Sequence, residues 1–480
     1  MPRFWEAALA CSVLVLGACA HHPPSIYGGP GTSVAPSVPW VPPAQARLAP
    51  EPATPLVIPE DLAKAAQHLS LAQVLDVALR TSTQTRVAWA QARSAAAAYG
   101  SQRGDYLPVV NVEAIGQQAG TAAAGGRPAT SQKAAQYGAD ASWLLFDFGG
   151  REAAVDETRQ ALVAADWTHN AVIQNVMLEV EQAYYQYVTT RALLAATEAT
   201  QEEAKKNLDA AEARHENGLA TIADVLQART AASQVELNVE GLRGQIATAR
   251  GALATSMGLP ANTPFDVEAP PETLPDAKVS EDVEQYLAQA RRERPDLAAA
   301  AAQTRGAEAH VKKVKAEGYP SLSAQGSVSR LHREGTDGYF VPYTATISLR
   351  MPIFTGFSHG YDVKESEADA DAARARQEAL EQLVVLQVWT SYYDFKTAEQ
   401  RLKTTADLLN SAGQSHDVAL GRYQEGVGTI LDLLTAQASL AGARAADVQA
   451  RADWFLSLAQ LAHDTGTLGA PSSPEGGSNR

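Results

Sequence analysis

The chain predicts an α+β fold made of two similar halves, each with helices of unusual length and one β-hairpin. Three observations carry this. The stretch Asn217-Gly-Leu-Ala-Thr-Ile-Ala-Asp-Val-Leu226 recurs as Glu425-Gly-Val-Gly-Thr-Ile-Leu-Asp-Leu-Leu434. Gly218, Thr221, Asp224 and Leu226 stand 208 positions before Gly426, Thr429, Asp432 and Leu434. The first copy follows a run, Arg151 to Asn217, with no glycine or proline, and 67 residues of helix reach roughly 100 Å, far beyond a globular helix. Between the helical runs lie stretches that alternate with period 2, the signal of strands.

In chain order, residues 1–18 read as an export signal. Arg3 precedes an apolar run, Ala7 to Ala18, that is too short to span a membrane. The run ends in Leu16-Gly17-Ala18-Cys19, which resembles the lipobox of bacterial lipoproteins, in which the cysteine is acylated and becomes the first mature residue. The alternative is an ordinary signal peptide with a coincidental cysteine. By resemblance to lipoprotein sorting signals, the non-acidic Ala20 favours the outer membrane. The other cysteine, Cys11, lies inside the signal, so the mature chain has no internal disulfide and no thiolate metal site. Residues 19–68 form a leader rich in proline, whose fixed φ and missing N–H exclude helix and central strand. His21-His22 within it reads as a solvated pair.

Residues 69–260 form the first half. Ser70 to Arg80 is amphipathic, and the Ala-rich run after it predicts helix as far as Asp105, stopped by Leu107-Pro108. Val110, Val112 and Ala114 alternate with Asn111 and Glu113. Tyr137, Ala139, Ala141, Trp143 and Leu145 alternate with Gly138, Asp140 and Ser142. This pattern predicts a hairpin over 108–146 with a long loop, and Phe146-Asp-Phe-Gly-Gly-Arg151 turns the chain into the long helix. In that helix Ile173, Val176, Val180, Ala183, Tyr187 and Leu194 step by three and four, as packed long helices require. At the tip, 217–226, Gly218 supplies the left-handed stop. Thr221 stands at the N-cap with Asp224 three residues on, close to the capping-box pattern. A second helix runs from Ile222 to about Met257.

Residues 261–280, again Pro-rich and acidic, predict a linker. Residues 281–468 repeat the first half: Ala290 to Pro320 matches Ala78 to Pro108 at a spacing of 212, and Phe354 matches Phe146 at 208. The second hairpin, 320–354, is therefore four residues shorter, a change that loops absorb cheaply. Tyr343, Ala345, Ile347, Leu349, Met351 and Ile353 alternate with Thr344, Thr346, Ser348 and Arg350, which predicts one long strand with an apolar and a polar face. Val384, Val388, Phe395 and Leu402 take the places of Val176, Val180, Tyr187 and Leu194, and Tyr184-Tyr185 recurs as Tyr392-Tyr393. The second tip is 425–434. Residues 469–480 have the composition of a disordered tail.

Four strands cannot close a transmembrane barrel, which needs about eight, and an open edge is not tolerated in lipid. Either several chains share one barrel, or the strands lie outside a membrane. The acylation signal at Cys19 and the apolar face of Tyr343 to Ile353 favour a shared barrel. Trp143, Phe146, Tyr339-Phe340 and Tyr343 are candidates for interfacial girdles or for packing.

The twin repeat, the strand starts at Leu107-Pro108 and Tyr319-Pro320, Phe146-Asp-Phe-Gly-Gly-Arg151 and the two tips together resemble the TolC-type outer membrane efflux proteins, in their lipid-anchored group. The resemblance covers Leu69 to Leu468. It implies a homotrimer with a 12-stranded barrel in the outer membrane, four strands per chain, continued by a long α-helical barrel in the periplasm. It implies as partners a periplasmic adaptor and an inner-membrane transporter, the proton-driven RND type first. The tips then sit at the periplasmic end of the tunnel. Gly218, Thr221, Asp224, Leu226, Gly426, Thr429, Asp432 and Leu434 would meet the adaptor. Asp432 matches a position that points into the closed tunnel, where three copies make an acidic ring that attracts cations. Tyr423 and Asp224 match positions that link neighbouring helices in the shut state by polar bonds. The sequence departs from the family pattern at Gly428, where a long basic side chain can join that lock, and at Thr435, where a second acidic ring can occur. Helix capping alone is the structural alternative for Asp224 and Asp432.

Composition narrows the function classes. A formal net charge of −15 argues against nucleic acid as a partner. No apolar run after the signal has the length of a transmembrane helix, so any crossing is by strands. No catalytic constellation, cofactor motif or metal-ligand spacing is present, and four methionines with no available thiol argue against a copper relay. His310 and His416 lie in charged or polar helical stretches that predict exposure. Three functions remain: an efflux conduit, a type I protein secretion channel, and a lipid-anchored coiled-coil scaffold with no pore. The strands separate the last from the first two.

Overall fold

The computed structural model describes residues 58, 61, 66–121, 130–270, 280, 282–335 and 337–469. The export signal, Cys19, most of the leader, linker residues 271–279 and tail residues 470–480 lie outside these.

Helix α1 (Leu71–Thr81) starts at a complete capping box, in which the Ser70 hydroxyl accepts from Gln73 N and the Gln73 side chain accepts from Ser70 N. The helix predicted as far as Asp105 is broken at Ser82, whose backbone turns extended (ψ 130°) and whose hydroxyl accepts from Thr85 N. Three hydroxyl residues in a row, Thr81-Ser82-Thr83, offer the backbone this alternative to helix. Helix α2 (Thr83–Arg103) follows, then one 3₁₀ turn (Gly104–Tyr106). The same break recurs at Arg294, between α5 (Val283–Glu293) and α6 (Pro295–Ala316). There the cause is Pro295, which pushes Arg294 to ψ 120° and serves as the first helical residue.

The long helices are α3 (Gly150–Glu216) and α7 (Ser358–Gln424), each 67 residues. The helices that return from the tips are α4 (Ile222–Ser256) and α8 (Ile430–Asp464), each 35 residues. Their hydrophobic seams are local. Val176 and Val180 of α3 pack with Leu69, Val74, Val77, Leu253, Met257 and Phe265. Val384 and Val388 of α7 pack with Leu287, Ala290 and Leu297, and Phe395 packs with Tyr392, Trp454 and Leu461. A polar collar ties residues 265–268 onto α3: Tyr187 Oη donates to Asp266 Oδ1 (3.0 Å), Arg191 Nη1 to the same oxygen (2.7 Å), and Tyr184 Oη to the Glu268 carbonyl (2.8 Å).

The strands β1 (Val109–Thr121), β2 (Thr130–Phe146), β3 (Ser321–Arg333) and β4 (Tyr343–Arg350) form one antiparallel sheet in the order β1-β2-β3-β4. Strand β4 ends at Arg350, short of the Ile353 that alternation predicts, because Pro352 has no N–H for the ladder. The register joins side chains of one kind into rows across all four strands. Val112, Ala139, Val328 and Tyr343 form one row; Val110, Ala141, Gly326 and Ala345 form the next. Trp143, Ala324 and Ile347 form a third. The opposite face is polar. Asn111, Asp140, Ser327 and Thr344 share a row, with Asn111 donating to Asp140 (3.0 Å) and Ser327 bonded to Thr344 (2.7 Å). Ser323 and Ser348 bond at 2.8 Å on the same face. The edges of the sheet are β1 and β4.

Candidate functional site

Both tips are built by the same local chemistry. At the first, Gly218 sits at φ +74°, its N–H bonds the His215 carbonyl (2.9 Å), and Leu219 N reaches back to the Arg214 carbonyl (2.7 Å). This is a left-handed stop that satisfies the last carbonyls of α3. Helix α4 restarts at once on a full capping box: Thr221 N donates to Asp224 Oδ2 (2.7 Å) and Asp224 N to Thr221 Oγ1 (3.2 Å). At the second tip Gly426 has φ +76°, Thr429 N donates to Asp432 Oδ2 (3.2 Å) and Asp432 N to Thr429 Oγ1 (3.1 Å). These bonds from Thr429 hold the Asp432 carboxyl below its ordinary range, so it is an anion at neutral pH.

The tips differ in what they expose. Leu219, Ile222 and Leu226 are exposed at the first, Val427 and Leu431 at the second. Leu434 is not the counterpart of Leu226 in this respect, since it is half-buried against Tyr423, Ile430 and Leu433.

The two tips are joined by a contact that the sequence did not signal. Arg214, in the last turn of α3, donates from Nη1 to the Tyr423 carbonyl in the last turn of α7 (3.1 Å), and its guanidinium lies 5.0 Å from the Tyr423 ring centre. Tyr423 itself is buried, and burial raises the pKa of its phenol. The resemblance implied that Tyr423 and Asp224 take part in polar bonds linking neighbouring helices. Within the chain they share none: the Asp224 carboxylate is engaged by Thr221, and Tyr423 Oη has no hydrogen-bond partner. Higher on the same seam, Asn207 of α3 donates to Gln437 of α8 (2.9 Å), and Arg444 of α8 forms a two-bond ion pair with Glu203 of α3 (3.0 and 3.2 Å). A groove of about 440 Å³ opens between α3 and α7 here, lined by Glu203, Lys206, Arg214, His416, Leu420 and Tyr423 among others.

His416 therefore corrects a sequence expectation: it is buried, 6% exposed, because its helix face turns toward α3 rather than solvent. His310 is partly exposed and faces the Glu157 carboxylate at 3.1 Å. A second residue missed by sequence reasoning is Glu181 of α3. Burial pushes its pKa up to about 7. No local pattern marks either, since both stand among ordinary polar helical residues. No group of His, Cys, Asp and Glu among the described residues could hold a metal ion, and none of their helices is long and apolar enough to cross a membrane.

At the sheet end, Arg151 fastens strand to helix. Its guanidinium donates to the Leu144 (2.6 Å), Leu145 (3.2 Å) and Asp105 (3.3 Å) carbonyls and lies over the Tyr106 ring, while its own N–H bonds the Asp147 carboxylate (2.6 Å). Aromatic side chains gather toward both ends of the sheet. Phe146, Phe148 and Tyr319 meet edge to face or tilted at its base, and Arg330 caps the Tyr339 ring near the far end.

The family model described as "Outer membrane efflux protein" matches residues 74–259 and 286–467. Protein CyaE of Bordetella pertussis is 28% identical over 380 residues, 78% of this chain and 79% of its own length. The probable efflux pump outer membrane protein TtgC of Pseudomonas putida is 25% identical, with 82% of each chain covered. Among solved structures, the outer membrane protein VceC of Vibrio cholerae superposes with a TM-score of 0.74 at 23% identity, over 82% of this chain and 96% of VceC, a likeness of fold. Two matched segments that take in both tips, both hairpins and all four long helices place the chain in the outer membrane efflux protein family, the TolC-type channels.

Proposed function

We propose that this chain is the outer-membrane channel of a tripartite export system, a passive conduit for small molecules delivered by an inner-membrane pump through a periplasmic adaptor. The observation that carries this reading is the sheet. It has one face that is apolar over the rows from Val112–Ala139–Val328–Tyr343 to Trp143–Ala324–Ile347, an opposite face carrying hydrogen-bonded polar rows, and unpaired edges at β1 and β4. Open edges in lipid leave backbone groups unsatisfied at several kcal/mol each. Pairing β1 of one copy with β4 of the next removes them, and three copies give twelve strands. Tyr137 and Phe146 of β2 are about 30 Å apart along the strand, or about 23 Å along the normal at a tilt near 40°, which suits the ~25 Å apolar band of outer-membrane barrels.

The polar rows then line the lumen, and the two repeats of each chain send their helical hairpins into the periplasm as six tips. The exposed apolar residues around Gly218 and Gly426 suit an adaptor's helical hairpin. Asp432, ionised and exposed, suits an acidic ring at the tunnel mouth, and Cys19 supplies the lipid anchor. TtgC, described as a probable efflux pump outer membrane protein, supports efflux, and an RND-type pump is the inner-membrane partner of this proposal. A four-stranded sheet with an apolar face argues against a poreless scaffold, and protein secretion remains the alternative cargo for the same pore. Planar-bilayer recording of the purified protein tests the reading: stepwise, cation-preferring ion currents from heat-modifiable oligomers are expected, and oligomers that never conduct would overturn it.

A further inference from the structure

We infer that Arg214 is the latch that holds the tips together in the shut tunnel, a task the family pattern gives to a basic residue where this chain has Gly428. The inference rests on the channel reading above. A side chain at position 428 is crowded by its own turn, whose atoms would have to give by a few tenths of an ångström. A Cβ there would lie 3.0 Å from Arg422 Cβ and 3.2 Å from the backbone of Arg422 and Tyr423. Gly428 N is also committed to the Arg422 carbonyl (2.9 Å). Arg214 approaches the same turn from the other hairpin. It donates to a carbonyl at the C-terminal end of α7, where the helix dipole favours a cation, and it covers the Tyr423 ring. One of its terminal nitrogens would stand 3.6 Å from a Cβ placed on Gly426. Two grips on one turn from a single side chain, the carbonyl bond and the ring contact, make Arg214 the cross-hairpin cation of the tip.

The geometry also says what Tyr423 contributes. Its hydroxyl has no hydrogen-bond partner, so its ring and carbonyl hold the latch, not its phenol. The device is one-sided. A shift of 208 carries Arg214 to Arg422 and Tyr423 back to His215, so the first tip presents no aromatic ring to a cation from its neighbour. The seam within a chain is also stitched by Asn207–Gln437 and Glu203–Arg444. Their positions map to Ser415 with Arg229 and to Ser411 with Glu236, which form no matching amide or ion pairs.

Two readouts on full-length reconstituted oligomers test the latch. The first is conductance of Arg214→Ala, Arg214→Lys, Tyr423→Ala and Tyr423→Phe. Arg214→Ala should raise mean conductance about tenfold, the population shift that losing one charge-assisted hydrogen bond produces, and Tyr423→Ala, which keeps the backbone carbonyl and loses only the ring, should raise it by a smaller factor of about two to five. The double variant should add nothing to Arg214→Ala, Arg214→Lys should fall between, and Tyr423→Phe should match the wild type. The second is the distance between spin labels at Glu216→Cys and Glu425→Cys, in oligomers diluted with unlabelled chain. It should lengthen in Arg214→Ala and stay put in Tyr423→Phe. Longer distances in oligomers that never conduct would uphold the latch and sink the channel reading. Unchanged label distances in Arg214→Ala, or Tyr423→Phe opening as fully as Tyr423→Ala, would overturn the latch.

Discussion

An arginine placed at two adjacent positions of β2 distinguishes the faces of the sheet. Ala141 belongs to the row Val110–Ala141–Gly326–Ala345, with apolar rows on either side. It lies four residues from Tyr137 and five from Phe146, so it marks the middle of the apolar band. Ser142, one step on, pairs with Val109 and Gln325 on the polar face. Side chains alternate with period 2, so a one-residue step crosses the sheet. Ala141→Arg buries a guanidinium near the middle of a ~25 Å band, too far for it to snorkel to the headgroups, at a cost of about 2–4 kcal/mol per chain. Ser142→Arg puts the same charge in the lumen, where water solvates it. The assay is the denaturant midpoint of the heat-modifiable oligomer in lipid, followed on gels. Ala141→Arg should abolish or strongly destabilise the oligomer. Ser142→Arg should assemble normally and lower the cation preference of the pore. Normal assembly of Ala141→Arg with failure of Ser142→Arg would refute the assignment of faces.

Three further predictions follow from the helices. Burial raises Glu181 from 4.5 to about 7, so the folded chain takes up a proton as pH falls through that window, and stability there rises by at most about 3 kcal/mol. Glu181→Gln should remove this pH dependence and raise the melting temperature at pH 8; an unchanged melting profile would place Glu181 in a solvated site. Asp432→Asn should raise conductance and reduce cation preference in planar bilayers, and a recording with neither change would leave Asp432 as a cap only. Gly218 and Gly426 have positive φ; the space around Gly218 is open and a Cβ on Gly426 would meet only the end of the flexible Arg214 side chain at 3.6 Å, so tryptophan costs about 1–2 kcal/mol of backbone strain, and at Gly426 it also displaces Arg214. Such variants should assemble yet lose export, and full drug resistance in cells carrying them would remove the tips from the docking surface.

What could be read from the sequence was what local chemistry decides. Helix α3 is legible because glycine and proline are absent from Arg151 to Asn217 and apolar residues recur at three and four; α7, which carries Gly360, Gly413 and Gly421, is legible because its apolar positions repeat those of α3 at a spacing of 208. The capping boxes at Thr221 and Thr429 are legible because a hydroxyl and a carboxylate three apart have one good geometry. The breaks at Ser82 and Arg294 turn on a hydroxyl cluster and a proline that a continuous Ala-rich pattern hides. The register that aligns Val110 with Ala345 through two intervening strands is a property of pairing, which no single strand encodes. Arg214 and Tyr423 are 209 positions apart, and the face that buries His416 is set by a different helix. Residues of this kind look like solvated helical positions until the seam is assembled.

The central claim is that β1 and β4 find their missing partners in identical chains. A three-dimensional reconstruction of the lipid-embedded oligomer tests it most directly. The account predicts three copies around one hollow axis, twelve continuous strands, and six helical tips converging at the far end. A monomer, or an oligomer whose sheets remain separate, would contradict it.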